Sequence, residues 1–174
     1  LSTYIDTRLS DGLAALKAGE ADTVLIAGMG GALTVRILEG GGHCLGTVRE
    51  LILQPQSEIH LVRRWLGENG YWIVEEDMVL DGGKYYPMMK AVHGRQEPLG
   101  EAELFYGSTE LQKSLPVLED YIRACLSKNR GIRERLGEHG KETSPRMREL
   151  ERQDQYLETV LSEICARKKE GIRR

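Results

Sequence analysis

The sequence predicts an α/β fold in which an open, mostly parallel sheet is followed by an antiparallel two-helix coiled-coil hairpin. Three observations support this prediction. A β-prone run enters a glycine-rich turn and a helix, strand and helix patterns alternate up to about residue 92, and two heptad repeats follow. We expect the sheet domain to occupy residues 1–98 and the helical hairpin to occupy residues 99–174.

The glycine-rich turn follows the most β-prone run of the chain. Thr23–Ala27 predicts a strand, and an amphipathic helix follows to about Glu39. Between them, Gly28, Gly30 and Gly31 lack a Cβ where the backbone turns or a ligand approaches, and the helix start offers unpaired N–H groups. The spacing differs from the dinucleotide fingerprint Gly-x-Gly-x-x-Gly, because position 33 is Leu. The residues alone leave both a structural tight turn and a ligand loop open.

Shorter strand patterns lie on both sides of this turn. Tyr4–Thr7 predicts a strand. A turn at residues 9–12 follows it and leads into a small helix over Leu13–Lys17. Glu50–Gln54 predicts a strand that Pro55 closes, because proline cannot donate to a sheet ladder. Ser57 is then expected to cap a helix that extends to about residue 69.

Two further strands complete the expected sheet. Tyr71–Val74 and Lys84–Val92 are separated only by a turn at Asp81–Gly83, so we expect them to pair antiparallel at one end of the sheet. The resulting order is β-α-β-α-β-α-β-β. Sheets of this kind bind ligands at the carboxyl ends of their parallel strands, which places Gly28–Gly31 at the candidate crevice.

Apolar residues recur at intervals of four and three in the last part of the chain. The first run comprises residues 111, 115, 118, 122, 125, 132 and 136, and the second comprises Met147, Leu150, Leu157, Leu161 and Ile164. Gly140 ends the first helix and Ser144–Pro145 begin the second, which predicts an antiparallel hairpin. The single gaps in the two runs, Asn129 and Asp154, then lie opposite each other, and we predict a hydrogen bond between them.

Charge is distributed unevenly along the chain. The net charge is −3, residues 1–100 carry 9 Lys/Arg and 13 Asp/Glu, and residues 123–148 carry 8 basic and 3 acidic side chains. A nearly neutral body with a basic arm suits an anionic partner, although a solvated helix face explains the same pattern.

The cysteines and the hydropathy exclude several classes of protein. Cys44, Cys125 and Cys165 are odd in number, far apart and set in apolar surroundings, which predicts reduced thiols of a cytoplasmic protein. They show no metal-ligand spacing, so we expect no metal. No apolar run approaches the roughly 20 residues that span a bilayer, so we expect no membrane partner.

Four short segments carry a family resemblance. They are Arg8-Leu-Ser-Asp-Gly-Leu13, Ile26-Ala-Gly-Met-Gly-Gly31, Leu51-Ile-Leu-Gln-Pro55 and Gly83-Lys-Tyr-Tyr86. In this order and spacing, with the helical hairpin behind them, they closely resemble the bacterial TrmK family, which methylates N1 of adenine-22 in tRNA. The resemblance covers essentially the whole chain. It implies a partial Rossmann-like (class I) methyltransferase sheet, S-adenosyl-L-methionine as cofactor and tRNA as partner.

The resemblance also implies cofactor-binding roles. They fall on Asp11, Gly12, Gly28, Met29, Gly30 and Gly31. The Asp11 carboxylate can accept from the exocyclic amine of the cofactor's adenine, or it caps the small helix after it. The glycine loop leaves room for the sulfonium and the incoming base, whereas packing is an alternative role for Met29.

Catalytic roles are expected for Gln54 and Tyr86, and substrate-binding roles for Pro55 and Tyr85. Gln54 either hydrogen-bonds the target base or caps the end of its strand. Tyr85 and Tyr86 alternate faces of a strand, so one ring should stack on the adenine, with core packing as the alternative. Contacts to tRNA phosphates are expected from seven side chains of the hairpin: Lys128, Arg130, Arg133, Arg135, Lys141, Arg146 and Arg148.

The chain departs from the family pattern at its start. Position 1 is Leu, and the expected first strand, its glycine loop and an acidic residue for the cofactor ribose do not precede Tyr4–Thr7. We therefore expect an N-terminally truncated piece that lacks the main cofactor loop and self-associates through an exposed sheet edge. A non-catalytic RNA-binding module and an oligomerisation module are the alternatives.

Overall fold

A computed structural model describes residues 4–95, 97–108 and 115–171 of the chain. It contains four strands and six helices within those residues. Their bounds are β1 Thr23–Gly30, α1 Gly31–Gly40, α2 Gly42–Leu45, β2 Glu50–Ser57, α3 Ile59–Glu68, β3 Tyr71–Asp81, β4 Lys84–His93, α4 Glu101–Tyr106, α5 Leu115–Glu138 and α6 Pro145–Gly171. The predicted α/β class is confirmed.

The chain forms two compact units. The first, here called the sheet unit, comprises Leu1–Glu75 and Pro87–Pro98, and the second, the hairpin unit, comprises Glu76–Tyr86 and Leu99–Arg174. The outer part of β3 and the first residues of β4 therefore belong to the hairpin unit. The expected division into domains at residues 98 and 99 stays a prediction.

The strands of the sheet follow the order β1-β2-β4-β3. β1 and β2 are parallel, with Thr23 opposite Glu50 and Ala27 opposite Gln54. β4 runs antiparallel to β2 and pairs Val92 with Glu50. This mixed sheet confirms the expected change from parallel to antiparallel pairing, because β3 and β4 are joined by a short turn and not by a crossover helix.

Alternating burial along the strands produces the core of the sheet unit. Val24 and Ile26 are buried on β1, as are Leu51 and Leu53 on β2, which is the period of two that a half-covered sheet requires. The fully buried apolar side chains of α1 and α3 are Leu38, Val62 and Leu66. Burial of each such side chain contributes about 1.5–3 kcal/mol to folding.

Two of the predicted elements near the start are wrong. Tyr4–Thr7 is not a strand, and Leu13–Lys17 forms turns and not a helix. An extended segment becomes a strand only where another strand satisfies its backbone, and this exposed segment is instead held by side chains, with Arg8 bonded to Asp6 and Glu20. The segment Leu13–Lys17 is also too short to repay helix nucleation.

The structure also corrects the end of β2. Pro55 does not close this strand, which continues to Ser57, and Ser57 does not cap α3. The N-cap residue is Glu58, and no side chain caps the helix. Pro55 is tolerated because it lies opposite Met29, where the β1–β2 register shifts and the ladder is already interrupted.

The β3–β4 turn is confirmed but its strands are longer than expected. Gly82 and Gly83 have φ angles of 52° and 77°, and a two-residue hairpin turn of type I′ needs positive φ at both positions. Glycine adopts these angles without the Cβ penalty of other residues.

The hairpin unit has its own apolar core. Its buried side chains are Met78, Tyr106, Leu118, Ile122, Leu157, Val160 and Ile164. Burial raises the pKa of Tyr106 to about 12, so its hydroxyl stays protonated at neutral pH. Residue 111, which belongs to the predicted heptad run, lies outside the described residues.

The turn between α5 and α6 follows the predicted chemistry. Gly140 has a φ of 66° after the end of α5, and the Lys141 N–H donates to the Leu136 carbonyl at 2.9 Å, a six-to-one bond typical of a glycine-ended helix. The Ser144 hydroxyl accepts from the Met147 N–H at 3.2 Å, and Pro145 is the first residue of α6. The predicted glycine stop and serine cap are confirmed.

The predicted pair of polar gaps is confirmed as well. Asn129 Nδ2 donates to Asp154 Oδ1 at 2.8 Å, and both side chains are 8% exposed. A third residue joins them, because Arg133 Nη1 donates to Asp154 Oδ2 at 2.8 Å. The carboxylate therefore carries a charged partner and a neutral one, which offsets the cost of burying it.

We expect Asp154→Leu to lower the free energy of unfolding by about 2–4 kcal/mol, because Asn129 then stays buried without its acceptor. Asn129→Leu combined with Asp154→Leu should recover most of this loss, since two leucines restore an apolar seam. Urea denaturation measures both variants. Glu158→Leu, an exposed change on α6, serves as the control. Wild-type stability of Asp154→Leu would contradict the assignment.

Candidate functional site

The carboxyl ends of β1 and β2 bring two of the predicted site segments together. The strands are parallel neighbours, so the glycine turn at the end of β1 lies beside Gln54 and Pro55 on β2. The register is regular up to Ala27 and Gln54 and shifts beyond them, so that Met29 lies opposite Pro55. Gly28 has no partner in this register. The site thus begins where the ladder between the strands breaks.

A side-chain hydrogen bond replaces the missing backbone bond. The Gly28 N–H donates to Gln54 Oε1 at 3.0 Å. Because an N–H group needs an acceptor, this bond fixes which end of the amide is oxygen. The other end, Gln54 Nε2, is buried and has no hydrogen-bond partner among the described residues. An oriented donor without a partner is the property expected of a group that binds a ligand.

Gly28 and Gly31 have different structural reasons to be glycine. Gly28 has a φ of 78°, and a Cβ added to it would meet only Gln56 Nε2, at 4.0 Å. A Cβ on Gly31 would lie 2.7 Å from the Ser57 carbonyl oxygen and closer still to that of Glu58. The absence of a side chain at Gly28 therefore leaves open space, whereas at Gly31 it permits close packing of α1 against the end of β2.

The remaining residues of the turn are held locally. Gly30 precedes α1, and its carbonyl accepts from the Thr34 hydroxyl at 3.1 Å. A Cβ on Gly30 would lie 3.1 Å from the Ser57 hydroxyl. Met29 is 37% exposed, while Pro55 opposite it is buried. Of this pair, only the Met29 side chain is therefore accessible at the edge of the site.

Glu58 lies beside the candidate site, and the sequence analysis did not single it out. Its φ of 49° is the only positive value outside glycine in the described residues, and such a conformation costs on the order of 1 kcal/mol or more. The surrounding structure enforces it, because the Glu58 carbonyl faces Gly31 and also accepts from the Leu61 N–H at 2.9 Å. Glutamate carries no sequence signal for a left-handed conformation, so only the structure reveals it.

The segment around Asp11 lies in the sheet unit in an exposed turn. The Asp11 carbonyl accepts from the Ala14 N–H at 3.2 Å, and the Asp11 residue is exposed. Ser10, and not Asp11, accepts from the Ala15 N–H, so the alternative role of Asp11 as a helix cap is wrong. Gly12 has a φ of 55°, and a Cβ there would lie 3.0 Å from Ile37 on α1. Gly12 thus packs this turn against the helix that follows the glycine turn.

The two tyrosines of β4 belong to the hairpin unit. The Tyr85 ring packs edge-on against the Tyr121 ring with a centroid distance of 5.1 Å. Tyr106 lies 6.5 Å from the same ring. Tyr85 therefore contributes to the aromatic core of that unit, the alternative that the sequence left open. Tyr86 is half-buried on the same strand.

The predicted basic side chains of the hairpin fall into two groups. In the first group, Arg133 forms an ion pair with Asp154 and Arg146 forms one with Glu149. Arg135 and Arg148 each donate to a backbone carbonyl. In the described part of the chain, no hydrogen-bond or ion-pair partner is found for the side chains of Lys128, Arg130 and Lys141. Arg152, one helical turn after Arg148, lines the same groove of α6 and is not predicted from the sequence.

Neither a metal site nor a membrane span is found in the described residues. Across residues 4–95, 97–108 and 115–171, no group of three or more His, Cys, Asp or Glu side chains could hold a metal ion. Over those same ranges, no helix combines the length and apolar character needed to cross a bilayer. The three cysteines are free thiols, and burial raises the pKa of Cys44.

A parallel strand pair with a glycine turn at its carboxyl end, followed by a helix, places the sheet unit in the Rossmann-like class of α/β proteins. Comparison with known families agrees and is more specific. The sequence model of TrmK, tRNA (adenine(22)-N(1))-methyltransferase, matches residues 1–162, and the chain belongs to this family.

Individual relatives support the same assignment. The tRNA (adenine(22)-N(1))-methyltransferase of Bacillus subtilis is 40% identical over 97 residues, which are 56% of this chain and 41% of that protein. An uncharacterised protein from Listeria monocytogenes superposes with a TM-score of 0.83 at 29% identity, over 92% of this chain and 72% of that one. A Streptococcus pneumoniae protein solved with S-adenosyl-L-methionine superposes with a TM-score of 0.73 at 30% identity. The superposition covers 88% of this chain and 67% of that one.

Proposed function

We propose that this chain takes part in the S-adenosyl-L-methionine-dependent methylation of N1 of adenine-22 in tRNA. The proposal is supported by the match to the TrmK family and by the Streptococcus pneumoniae relative that binds S-adenosyl-L-methionine. The observation that carries it is the unpartnered Gln54 Nε2 beside the open space at Gly28. This donor on β2 lies beside the glycine loop that the family resemblance places near the transferred methyl, and it is available to a bound ligand.

The residues of the sheet unit fit the cofactor at some positions and not at others. Gly28, with open space where a Cβ would be, and the exposed Asp11 fit a bound ligand. Gly12 and Gly31 are glycine for packing reasons, and they support the cofactor site by positioning the turns around it. When bound, the cofactor supplies an electrophilic methyl group. Met29 and Gly30 complete the loop that would face it.

We propose that Gln54 orients the target adenine. Adenine has three ring acceptors, N1, N3 and N7, and N1 must keep its lone pair free to attack the methyl group. The Nε2 donor therefore binds N3 or N7 and leaves N1 directed at the cofactor side of the site. Its partner bond to Gly28 holds the amide in one orientation, which is the positioning that lowers the barrier of such reactions.

The reaction requires little proton transfer from the protein. Adenine N1 carries no proton when it attacks, the new N–C bond forms as the methyl–sulfur bond breaks, and the positive charge passes from sulfur to the base. A proton is released only afterwards, from the N6 amine, if the product neutralises. The substrate-binding role expected for Pro55, which is buried on β2, and the stacking role expected for Tyr86 stay predictions.

The test is transfer of a labelled methyl group to tRNA transcripts that carry adenine or guanine at position 22. It is run on this chain and on the chain preceded by the N-terminal segment of the Bacillus subtilis relative, because the aligned stretch spans only 41% of that protein. We expect N1-methyladenosine only with adenine at position 22. Absence of transfer by both proteins would contradict the proposed function.

We expect Gln54→Glu to lower kcat about tenfold to a hundredfold with a smaller change in KM for tRNA, because a glutamate keeps an acceptor for Gly28 but loses the donor. Gln56→Glu, a change two residues away, is the matched control for the added charge. Equal rates for Gln54→Glu and the wild type would exclude a role of this amide in the reaction.

We also propose that the basic face of the hairpin unit binds tRNA phosphates. Lys128, Arg130 and Lys141 support this proposal most directly, because their charges are not neutralised within the described residues. Arg135, Arg146 and Arg148 keep donors free for a second partner, since a guanidinium carries five N–H groups. Arg133 contributes to tRNA binding indirectly. Its guanidinium pairs with Asp154 and so stabilises the hairpin that carries the other basic side chains.

We expect Lys128→Gln combined with Arg130→Gln to weaken tRNA binding. The slope of log affinity against log salt should become shallower by about 1 for each phosphate that the variant no longer neutralises. Lys17→Gln combined with Arg95→Gln, two exposed cations of the sheet unit, is the control. An unchanged slope would contradict the proposal. Tight tRNA binding without methyl transfer would instead favour the non-catalytic RNA-binding alternative.

Self-association through the edge of the sheet is a separate proposal. β1 is the edge strand of the order β1-β2-β4-β3, and Leu25 on it is 66% exposed. Unpaired edges of this kind recruit further strands. Sedimentation should show concentration-dependent dimers of this chain, and Leu25→Lys should reduce them because a charge on an edge opposes pairing. A monodisperse monomer at all concentrations would rule out this association.

A further inference from the structure

A cavity lies in the sheet unit, away from the glycine turn. Its volume is about 490 Å³, and it is lined by the first residue of β3, Tyr71, and the last residue of β4, His93. Since β4 pairs Val92 with the first residue of β2, the cavity lies at the amino ends of the parallel strands. The Gln54 site lies at their carboxyl ends, so this cavity has no role in the proposed methyl transfer.

Three helices end at this cavity. Its lining includes Glu39 near the end of α1, Leu45 at the end of α2 and Glu68 at the end of α3. Helix carboxyl ends carry partial negative charge and unpaired carbonyl groups, and a basic side chain in the last turn commonly neutralises them. Neither α1 nor α3 has a basic residue in its last turn. The last turn of α2 contains His43, and its Leu45 carbonyl already accepts from His93, so only the negative potential of the α1 and α3 ends is left to a ligand or to solvent.

Aromatic rings line one side of the cavity. Tyr71 lies between the rings of Trp65 and His93, at centroid distances of 5.8 Å and 4.6 Å. Tyr71 is only 4% exposed, yet among the described residues its hydroxyl has no hydrogen-bond partner. His93 Nε2 donates to the Leu45 carbonyl at 3.1 Å, because a carbonyl oxygen can only accept. The Tyr71 hydroxyl can accept as well as donate, so it is available to a ligand that donates hydrogen bonds.

We propose that this cavity binds a small organic cation that carries a primary ammonium group. The carboxylates of Glu39 and Glu68 and the ends of α1 and α3 attract positive charge, and the face of the Trp65 ring that is turned away from Tyr71 offers a cation–π contact. Of the described residues that line the cavity, none is Lys or Arg. An anionic ligand such as a phosphate is repelled by the same groups. The volume lies in the range of about 300–1,000 Å³ that is usual for small-molecule sites.

The experiment follows the fluorescence of Trp65 during titration with 1,4-diaminobutane. The chain has two tryptophans, so the background variant Trp72→Phe leaves Trp65 as the one reporter. 1,4-Butanediol has a similar shape without the charge and serves as the matched ligand. We expect a saturable change in emission with the diamine and none with the diol. No saturation with the diamine up to about 10 mM, an affinity too weak for a specific site, would overturn the proposal.

Variants separate this site from general attraction to an acidic surface. Glu39→Gln combined with Glu68→Gln should weaken diamine binding by about tenfold or more. Tyr71→Phe keeps the ring stack and should weaken binding about threefold to fivefold, through loss of the hydroxyl alone. Glu97→Gln removes an exposed carboxylate of the same unit outside the cavity and should leave the affinity unchanged. Equal affinities of the double variant and Glu97→Gln would contradict the assignment.

Discussion

The candidate site depends on one hydrogen bond that substitutes a side chain for the sheet backbone. Parallel strands normally satisfy each other's N–H and C=O groups, but between Ala27 and Met29 the register shifts and Gly28 loses its partner. The Gln54 amide oxygen accepts the orphaned N–H. This bond satisfies the backbone N–H of Gly28 and at the same time fixes the orientation of the Gln54 amide nitrogen. A ladder without the shift would leave Gln54 free to rotate, and the donor would have no defined direction.

The hairpin unit rests on an arrangement of the same kind. Two long amphipathic helices can slide past each other by a heptad at small cost when their seams are uniformly apolar. Asn129 and Asp154 interrupt the seams at one level, and only one register allows them to meet. Arg133 adds the charge that a buried carboxylate needs. The same arginine belongs by sequence to the basic face, so charge counting alone overstates how many cations this face presents to an anionic partner.

The sequence predicts most of the architecture because its signals are local. The glycine stop at Gly140, the serine cap at Ser144 and the heptad gaps each depend on a few neighbouring residues, and all three appear in the structure. The prediction of a strand over Tyr4–Thr7 is wrong, since pairing depends on residues far away in the chain. The predicted end of β2 is wrong for a related reason. Pro55 stops a strand only where its N–H is needed, and the register shift removes that need.

The site is less predictable than the fold. Gly28 and Gly31 look alike in the sequence, yet one faces open space and the other packs against the backbone of Glu58. The left-handed Glu58 has no sequence signal at all. The sequence makes Tyr85 a candidate for stacking on a base, whereas in the structure it packs on Tyr121. These differences arise from contacts between residues that are far apart in the sequence, and composition and periodicity do not predict such contacts.

The division of the chain into units has a consequence for how the helical hairpin can be separated from the rest of the chain. Residues Glu76–Tyr86 belong to the hairpin unit although they are the tip of a strand pair that begins and ends in the sheet unit. Met78 contributes to the apolar core around α5 and α6, and Tyr85 packs against that core. A cut at residue 98 therefore does not release the helical hairpin intact, because it removes Met78 and Tyr85 from the apolar core that they share with α5 and α6. A peptide of residues 99–174 alone would expose to water the apolar surface that these two side chains cover.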